Sequence, residues 1–154
     1  QGYSSAASDV YKRQIKYCKN EALNLILSSY ADQAKESGID VRISVTATNF
    51  TRFQITDLCS LFANALENAI HACEKIPTSE KRYITLKVFE KNDRICINIA
   101  NNYIQNPVFE NEIPTSREAN HGIGVRSMIS VVEKYHGVYG FFTENKEFRF
   151  QASL

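Results

Sequence analysis

The chain has 154 residues, 44% of them apolar and 23% charged, a balance that fits one globular domain and excludes a disordered, collagenous or disulfide-stapled chain. Its 18 Lys and Arg stand against 17 Asp and Glu, and the basic residues are scattered, so no strong field points to nucleic acid or an anionic membrane. No apolar run reaches the roughly 18 residues of a membrane span and no stretch reads as a signal peptide, so the expected location is the cytoplasm.

Gln1 to Gln14 carries little apolar periodicity. The string from Ser4 to Gln14 resembles a translated sequencing adapter. Residues 1–14 are therefore expected to be an artefactual or disordered leader, the domain is expected to span 15–154, and the natural protein is expected to continue upstream of Ile15. From Asn20 to Gly38, Ala22, Leu23, Ile26, Leu27, Tyr30, Ala31 and Ala34 recur at helical spacing, and Gly38 is placed to end the helix in a left-handed cap. Ile39, Val41, Ile43, Val45 and Ala47 alternate with polar residues, the period of a strand with one buried face. Thr56 with Asp57 is expected to cap a second helix, whose stripe Leu58, Leu61, Phe62, Ala65, Leu66, Ala69, Ile70 and Cys73 continues until Pro77.

Ile84, Leu86 and Val88, then Ile95, Ile97 and Ile99, predict a hairpin turning at Asn92 and Asp93. Tyr103 to His121 has no period and holds Pro107 and Pro114; its length favours a functional lid over a plain connector. A third helix is expected from about Gly122 to Tyr135, with Val125, Met128, Ile129 and Val132 inward and Gly137 beyond its end. Strands Val138 to Thr143 and Phe148 to Ala152 close the chain around a polar turn. The predicted fold is α/β (α+β): a two-layer sandwich with a mixed sheet of about five strands and three helices on one face. Cys18, Cys59, Cys73 and Cys96 show no close pairing of the kind a zinc or redox site uses, and are read as reduced and mostly buried.

Two motifs carry chemistry. Asn64 and Asn68 are four apart on the second helix and share a face, with Glu67 beside them and His71 three further on. Asparagine is a poor helix former, so such a pair inside a strong helix needs either a solvated surface or a function. Then His121, Gly122, Ile123, Gly124, Val125 and Arg126 open a helix directly after the lid. Glycines there let backbone N–H groups approach an anion, with the helix N-terminus adding partial positive charge. Alone, the glycine pair is compatible with an ordinary helix start.

In their fixed order, an Asn-x-x-x-Asn helix, a hairpin, a lid and a Gly-x-Gly helix start resemble the GHKL (Bergerat-fold) ATPases. The resemblance is specifically to the ATP-binding catalytic domain of sensor histidine kinases of the quorum-sensing and peptide-receptor type. Leu61 to Ile70 resembles the family's N box, Asn120 to Met128 its G2 box, and Tyr17 to Asn20 a segment typical of the subgroup. The resemblance implies ATP and Mg²⁺ as cofactors. It implies catalytic positions at Asn64, Glu67 and Asn68, with Asn68 the metal ligand, since Mg²⁺ takes oxygen donors and keeps several waters. Nucleotide contacts are implied at Asn64, Asn68, His71, Asn101, His121, Gly122, Ile123, Gly124, Val125 and Arg126. His71 stands where many relatives carry a lysine or arginine that touches the phosphates. Where most relatives place Asp-x-Gly-x-Gly, this chain has Asn101-Asn102-Tyr103, and Asn101 is expected to accept from the adenine amino group through its side-chain oxygen.

The implied function is to present Mg-ATP to a histidine on an upstream dimerisation domain of the same protein, which then feeds a response regulator. The parent would be a membrane-anchored homodimer. None of the chain's 3 histidines has the helical-hairpin context of such an acceptor. The competing readings are another use of the fold, as a clamp ATPase or anti-sigma-type serine kinase, and a degenerate nucleotide-binding module.

Overall fold

The computed structural model describes residues 15–116 and 121–154. The chain runs α1 (Glu21–Glu36), β1 (Asp40–Val45), α2 (Ile55–Glu74), β2 (Tyr83–Lys91), β3 (Arg94–Asn102), β4 (Val108–Glu110), β5 (Ile113–Thr115), α3 (His121–Lys134), β6 (Val138–Glu144) and β7 (Glu147–Ser153). The main sheet has 5 strands in the order β1-β2-β3-β7-β6. Only β1 and β2 pair in parallel, joined by α2 as a crossover, and the other neighbours are antiparallel. The mixed sheet with helices packed on one face is the predicted two-layer sandwich.

The helix-facing residues of the sheet are the alternating set Ile84, Leu86 and Val88 on β2, Ile95, Ile97 and Ile99 on β3, and Phe150 and Ala152 on β7, all buried. Against them packs the whole α2 stripe from Leu58 to Cys73, every member of which is buried. α1 buries Leu23, Leu27 and Ala34 on the same core and also buries Ala31, while Ala22 stays exposed. Val41, Ile43 and Val45 of β1 are only half-buried, because β1 lies at the sheet edge where α1 covers it from one side.

The caps differ from expectation in two places. α1 begins as the sequence suggests, with Asn20 accepting from the Leu23 backbone N–H at 3.1 Å, and ends at Gly38 with φ 71°. α2 instead begins one residue earlier than Thr56, after Gln54, which makes no side-chain cap bond. Asp57 is drawn away to α3, where Lys134 Nζ donates to its Oδ2 at 2.7 Å and the Tyr135 hydroxyl donates to the same oxygen at 2.6 Å. These two donors hold the Asp57 carboxyl below its ordinary range, and the tie fastens the start of α2 to the end of α3. At the far end of α3, His136 is the left-handed residue (φ 53°), with Gly137 following it.

α2 and α1 finish beside one another under a single buried cation. The Arg82 guanidinium donates to the carbonyls of Ser37 at the α1 cap, and of Glu74 and Ile76 at the α2 end. Helix-terminal carbonyls lack intrahelical donors, and a guanidinium with its fixed fork satisfies several at once.

Candidate functional site

α2 and α3 approach closely where the two motifs face each other. Asn64 turns its amide nitrogen back along its own helix, donating to the Ser60 carbonyl at 2.8 Å. Asn68 Nδ2 donates to Met128 Sδ of α3 at 3.8 Å. With both nitrogens engaged, the carbonyl oxygens turn towards Gly124. A Cβ built on Gly124 would lie 3.0 Å from Asn64 Oδ1 and 3.7 Å from Asn68 Oδ1. The bare backbone of the α3 start lets the Asn64 oxygen come this near without being displaced.

Beside this junction opens a cavity of about 310 Å³. Asn68, His71 and Lys75 line one wall, spaced along a single face of α2. Ile99 of β3, Val125 and Met128 of α3, and Phe141, Phe148 and Phe150 of the last two strands form an apolar floor. Phe141 and Phe150 lie 4.9 Å apart between ring centroids. The lid supplies the roof through Pro107, Val108 and Pro114 to Ser116.

Part of that lid has regular structure, which the sequence expectation of an aperiodic segment does not contain. β4 and β5 pair as a small antiparallel hairpin whose turn is Asn111 and Glu112, with φ of 50° and 65°. Those signs at both central residues mark a type I′ turn, and Asn111 between Val108-Phe109 and Ile113 is the signal for it in the sequence. Phe109 stacks on Phe148 at 6.2 Å with an interplanar angle of 23°, which seats the hairpin against the aromatic floor.

The expected site residues divide accordingly. Asn68, His71 and Val125 line the cavity; Asn64 and Gly124 stand together at its edge. Asn101 lies one pleat beyond Ile99 on the helix-facing side of β3, opposite Ile84. It is buried and does not itself line the cavity, and its Nδ2 donates to the Asn102 carbonyl at 3.0 Å, so the side-chain oxygen is the end left for another donor. Glu67 is exposed outside the cavity lining, on the side of Tyr30, whose hydroxyl is held above the usual range by burial first and by the Glu67 charge second. Gly122, Ile123 and Arg126 are exposed on α3 and do not line the cavity. Asn120 and the His121 side chain lie outside the described residues, as do residues 1–14. Lys75 and the three floor phenylalanines are absent from the sequence expectations. Their signals are the seven-residue step from Asn68 to Lys75 and the alternation of Phe148 with Phe150.

All 4 cysteines are free thiols. Burial pushes the Cys73 thiol up to about 11, which leaves it protonated and inert on the buried face of α2. Among the described residues no group of three His, Cys, Asp or Glu could cage a metal ion. The site thus offers an apolar slot for a flat ring system, an amide-lined edge, and a helix N-terminus beside it for an anionic tail.

Residues 53–154 match the family described as the GHKL domain. Among curated proteins no sequence matches the chain. In the solved structures the catalytic domain of histidine kinase ThkA superposes with a TM-score of 0.69 at 15% identity, covering 90% of this chain and 94% of that one. The mycobacterial sensor histidine kinase MprB gives 0.65 at 15% identity, over 87% and 93% of the two chains. Full-length ShkA in complex with AMPPNP gives 0.62 at 18% identity, covering 85% of this chain and 29% of that one. At these identities the likeness establishes a shared fold.

Proposed function

The chain belongs to the GHKL-domain family, and from that premise we propose that it is the ATP-binding catalytic domain of a sensor histidine kinase of the quorum-sensing or peptide-receptor type. The observation that carries the reading is the meeting of Gly124 with the oxygens of Asn64 and Asn68 at the edge of an apolar cavity. Purine and triphosphate need opposite surroundings, and this site supplies both within one cavity and its rim. The adenine lies on the aromatic floor with its amino group donating to Asn101 Oδ1. The phosphates meet the backbone N–H groups at the start of α3, with Gly122 and Gly124 permitting the approach. Asn64, His71 and Val125 complete the nucleotide surroundings.

Mg²⁺ fits this donor set. With its nitrogen on Met128, Asn68 presents an amide oxygen, and Mg²⁺ binds through one or two protein oxygens plus substrate phosphates and waters, without an all-protein cage. Bound there, the ion would neutralise charge on the triphosphate. The acceptor histidine belongs to a dimerisation domain of the same protein. Its imidazole nitrogen bonds to the γ-phosphorus as the bond to the bridging oxygen breaks, releasing ADP, while the exposed Glu67 carboxylate holds the proton on the imidazole. The phosphoryl group then passes to a response regulator. The domain works in the cytoplasm within a membrane-anchored dimer; among the described residues no helix is long and apolar enough to cross a membrane.

Incubating the chain with γ-labelled Mg-ATP and a separately supplied histidine-bearing helical hairpin tests this. Acid-labile label should appear on the hairpin and none on the chain alone. Acid-stable label on a serine-bearing partner would favour the serine-kinase reading, and failure to bind ATP would favour a degenerate module.

A further inference from the structure

A carboxylate presents acceptor oxygens whichever way it turns, but a carboxamide has an acceptor end and a donor end of nearly the same shape. An asparagine that reads a base therefore selects an amino group only where something fixes which end faces the ligand. Asn101 has such a fixture. Its Nδ2 donates to the Asn102 carbonyl at 3.0 Å, and because a carbonyl can only accept, the end facing it must be the nitrogen. That carbonyl is itself held. The pairing of β2 with β3 stops at Ile84 opposite Asn101, and the Asn102 side chain continues it: Oδ1 accepts from the Tyr83 backbone N–H at 2.9 Å, and Nδ2 donates to the Lys81 carbonyl at 2.7 Å. On its other side Asn102 pairs with Glu147 of β7. From α2, the Cys73 sulfur lies 3.6 Å from the Asn102 carbonyl oxygen and 3.7 Å from its Oδ1. Asn101 is flanked in sequence by Ile99 and Tyr103, and Cys73 follows Ala72; those three neighbours line the cavity, so the network backs onto it.

We propose that Asn102 is a positioning residue for base selection. By holding its own carbonyl against Asn101 Nδ2, it fixes the Asn101 amide with the oxygen towards the ligand, so that the site takes purines with an amino group at position 6 over those with an oxo group. This inference rests on the ATP-binding reading above and adds to it how a neutral amide discriminates. Without the side-chain anchors of Asn102 its carbonyl shifts, and the Asn101 amide turns over at little cost. Its nitrogen then meets an oxo group as readily as its oxygen meets an amino group. A carboxylate at position 101 would need no such support.

The experiment titrates the magnesium complexes of ATP and of inosine triphosphate, which differ at that edge of the base, into the parent chain and its variants, each with its thermal midpoint recorded. The variants are Asn102→Ala, Asn102→Asp, Asn101→Asp and the double variant of Asn101→Asp with Asn102→Ala. The parent should prefer ATP, and Asn102→Ala should lower the ratio of the two affinities about fivefold, the bias that one hydrogen bond puts on the amide. Asn102→Asp keeps the bond from Tyr83 and loses the one to Lys81, so its ratio should fall less, and it supplies the reading if Asn102→Ala does not fold. Its added charge acts on both triphosphates alike and drops out of the ratio. In the Asn101→Asp background, Asn102→Ala should leave the ratio unchanged, because a carboxylate needs no orienting. A purely structural Asn102 would lower the midpoint and either leave the ratio unaltered or change it equally in both backgrounds. Either result would overturn the positioning role, as would a parent that binds the two triphosphates equally, while the nucleotide site stands. A parent that binds neither would overturn the ATP-binding reading itself.

Discussion

Gly124→Ala measures the contact that joins the two motifs. The new methyl group would lie 3.0 Å from Asn64 Oδ1, closer than carbon and oxygen comfortably approach, and 3.7 Å from Asn68 Oδ1. Alanine in place of glycine on a helix gains about 0.5–1 kcal/mol in backbone entropy. To accept the methyl, Asn64 must give by a few tenths of an ångström, which strains its 2.8 Å bond to the Ser60 carbonyl at a cost of up to about 1 kcal/mol. The two terms nearly cancel, so stability should change by less than about 0.5 kcal/mol. In an Asn64→Ala background there is no oxygen to displace, and the same substitution should stabilise by the full helix gain of about 0.5–1 kcal/mol. Urea denaturation of the parent, both single variants and the double variant gives the coupling as a difference of differences, expected near 1 kcal/mol. A coupling of zero would refute the close packing of Gly124 on Asn64, and with it the argument that the glycine is present for that approach.

Asn68→Ala should abolish the Mg²⁺ dependence of nucleotide binding with the fold intact by circular dichroism; the same metal dependence in parent and variant would remove Asn68 as the ligand. Asn101→Leu should weaken ATP binding by about tenfold and erase a preference over GTP, whereas Asn101→Asp should retain both, as read by competition titration. Arg82→Met leaves the carbonyls of Ser37, Glu74 and Ile76 without their buried donor and should cost about 3 kcal/mol or more in chemical denaturation; a loss under about 1 kcal/mol would show that water replaces the guanidinium. Asp57 and Glu90 both sit below their ordinary carboxylate range, Asp57 through Lys134 and Tyr135, Glu90 through the backbone N–H groups of Asn49 and Thr48. Depressed folded values mean stability that is present above the unfolded carboxylate range near pH 4 and is lost as pH falls through the folded values. Asp57→Asn should therefore flatten the acid limb of the stability profile below about pH 4, and an unchanged limb would place the acid sensitivity elsewhere.

The long periodic elements were readable because burial imposes a period on the residues that face the core. α2 is the clearest instance: its eight-member stripe, Leu58 to Cys73, is buried throughout. The hairpin turn at Asn92-Asp93 was equally legible, since both residues take positive φ and few other side chains tolerate that. The lid hairpin was not, because strands of three residues, Val108–Glu110 and Ile113–Thr115, are too short to show alternation. Asp57 was misplaced as a cap because a local pattern cannot reveal a competing donor 77 residues away, at Lys134.

Composition, periodicity and the two motifs determined the fold class, the order of the main elements and the residue types available for a nucleotide. What the tertiary structure alone decided is their mutual geometry. It brought Gly124 against Asn64 and Asn68, seated Phe109 on Phe148 to hold the lid hairpin at the cavity, placed Lys75 on the cavity wall, and left Glu67, Ile123 and Arg126 outside the lining. The reason is one of range. A helix or strand period is set by neighbours a few residues apart, whereas the site is made of side chains from α2, β3, the lid, α3 and the last two strands, which meet only when the core between them closes.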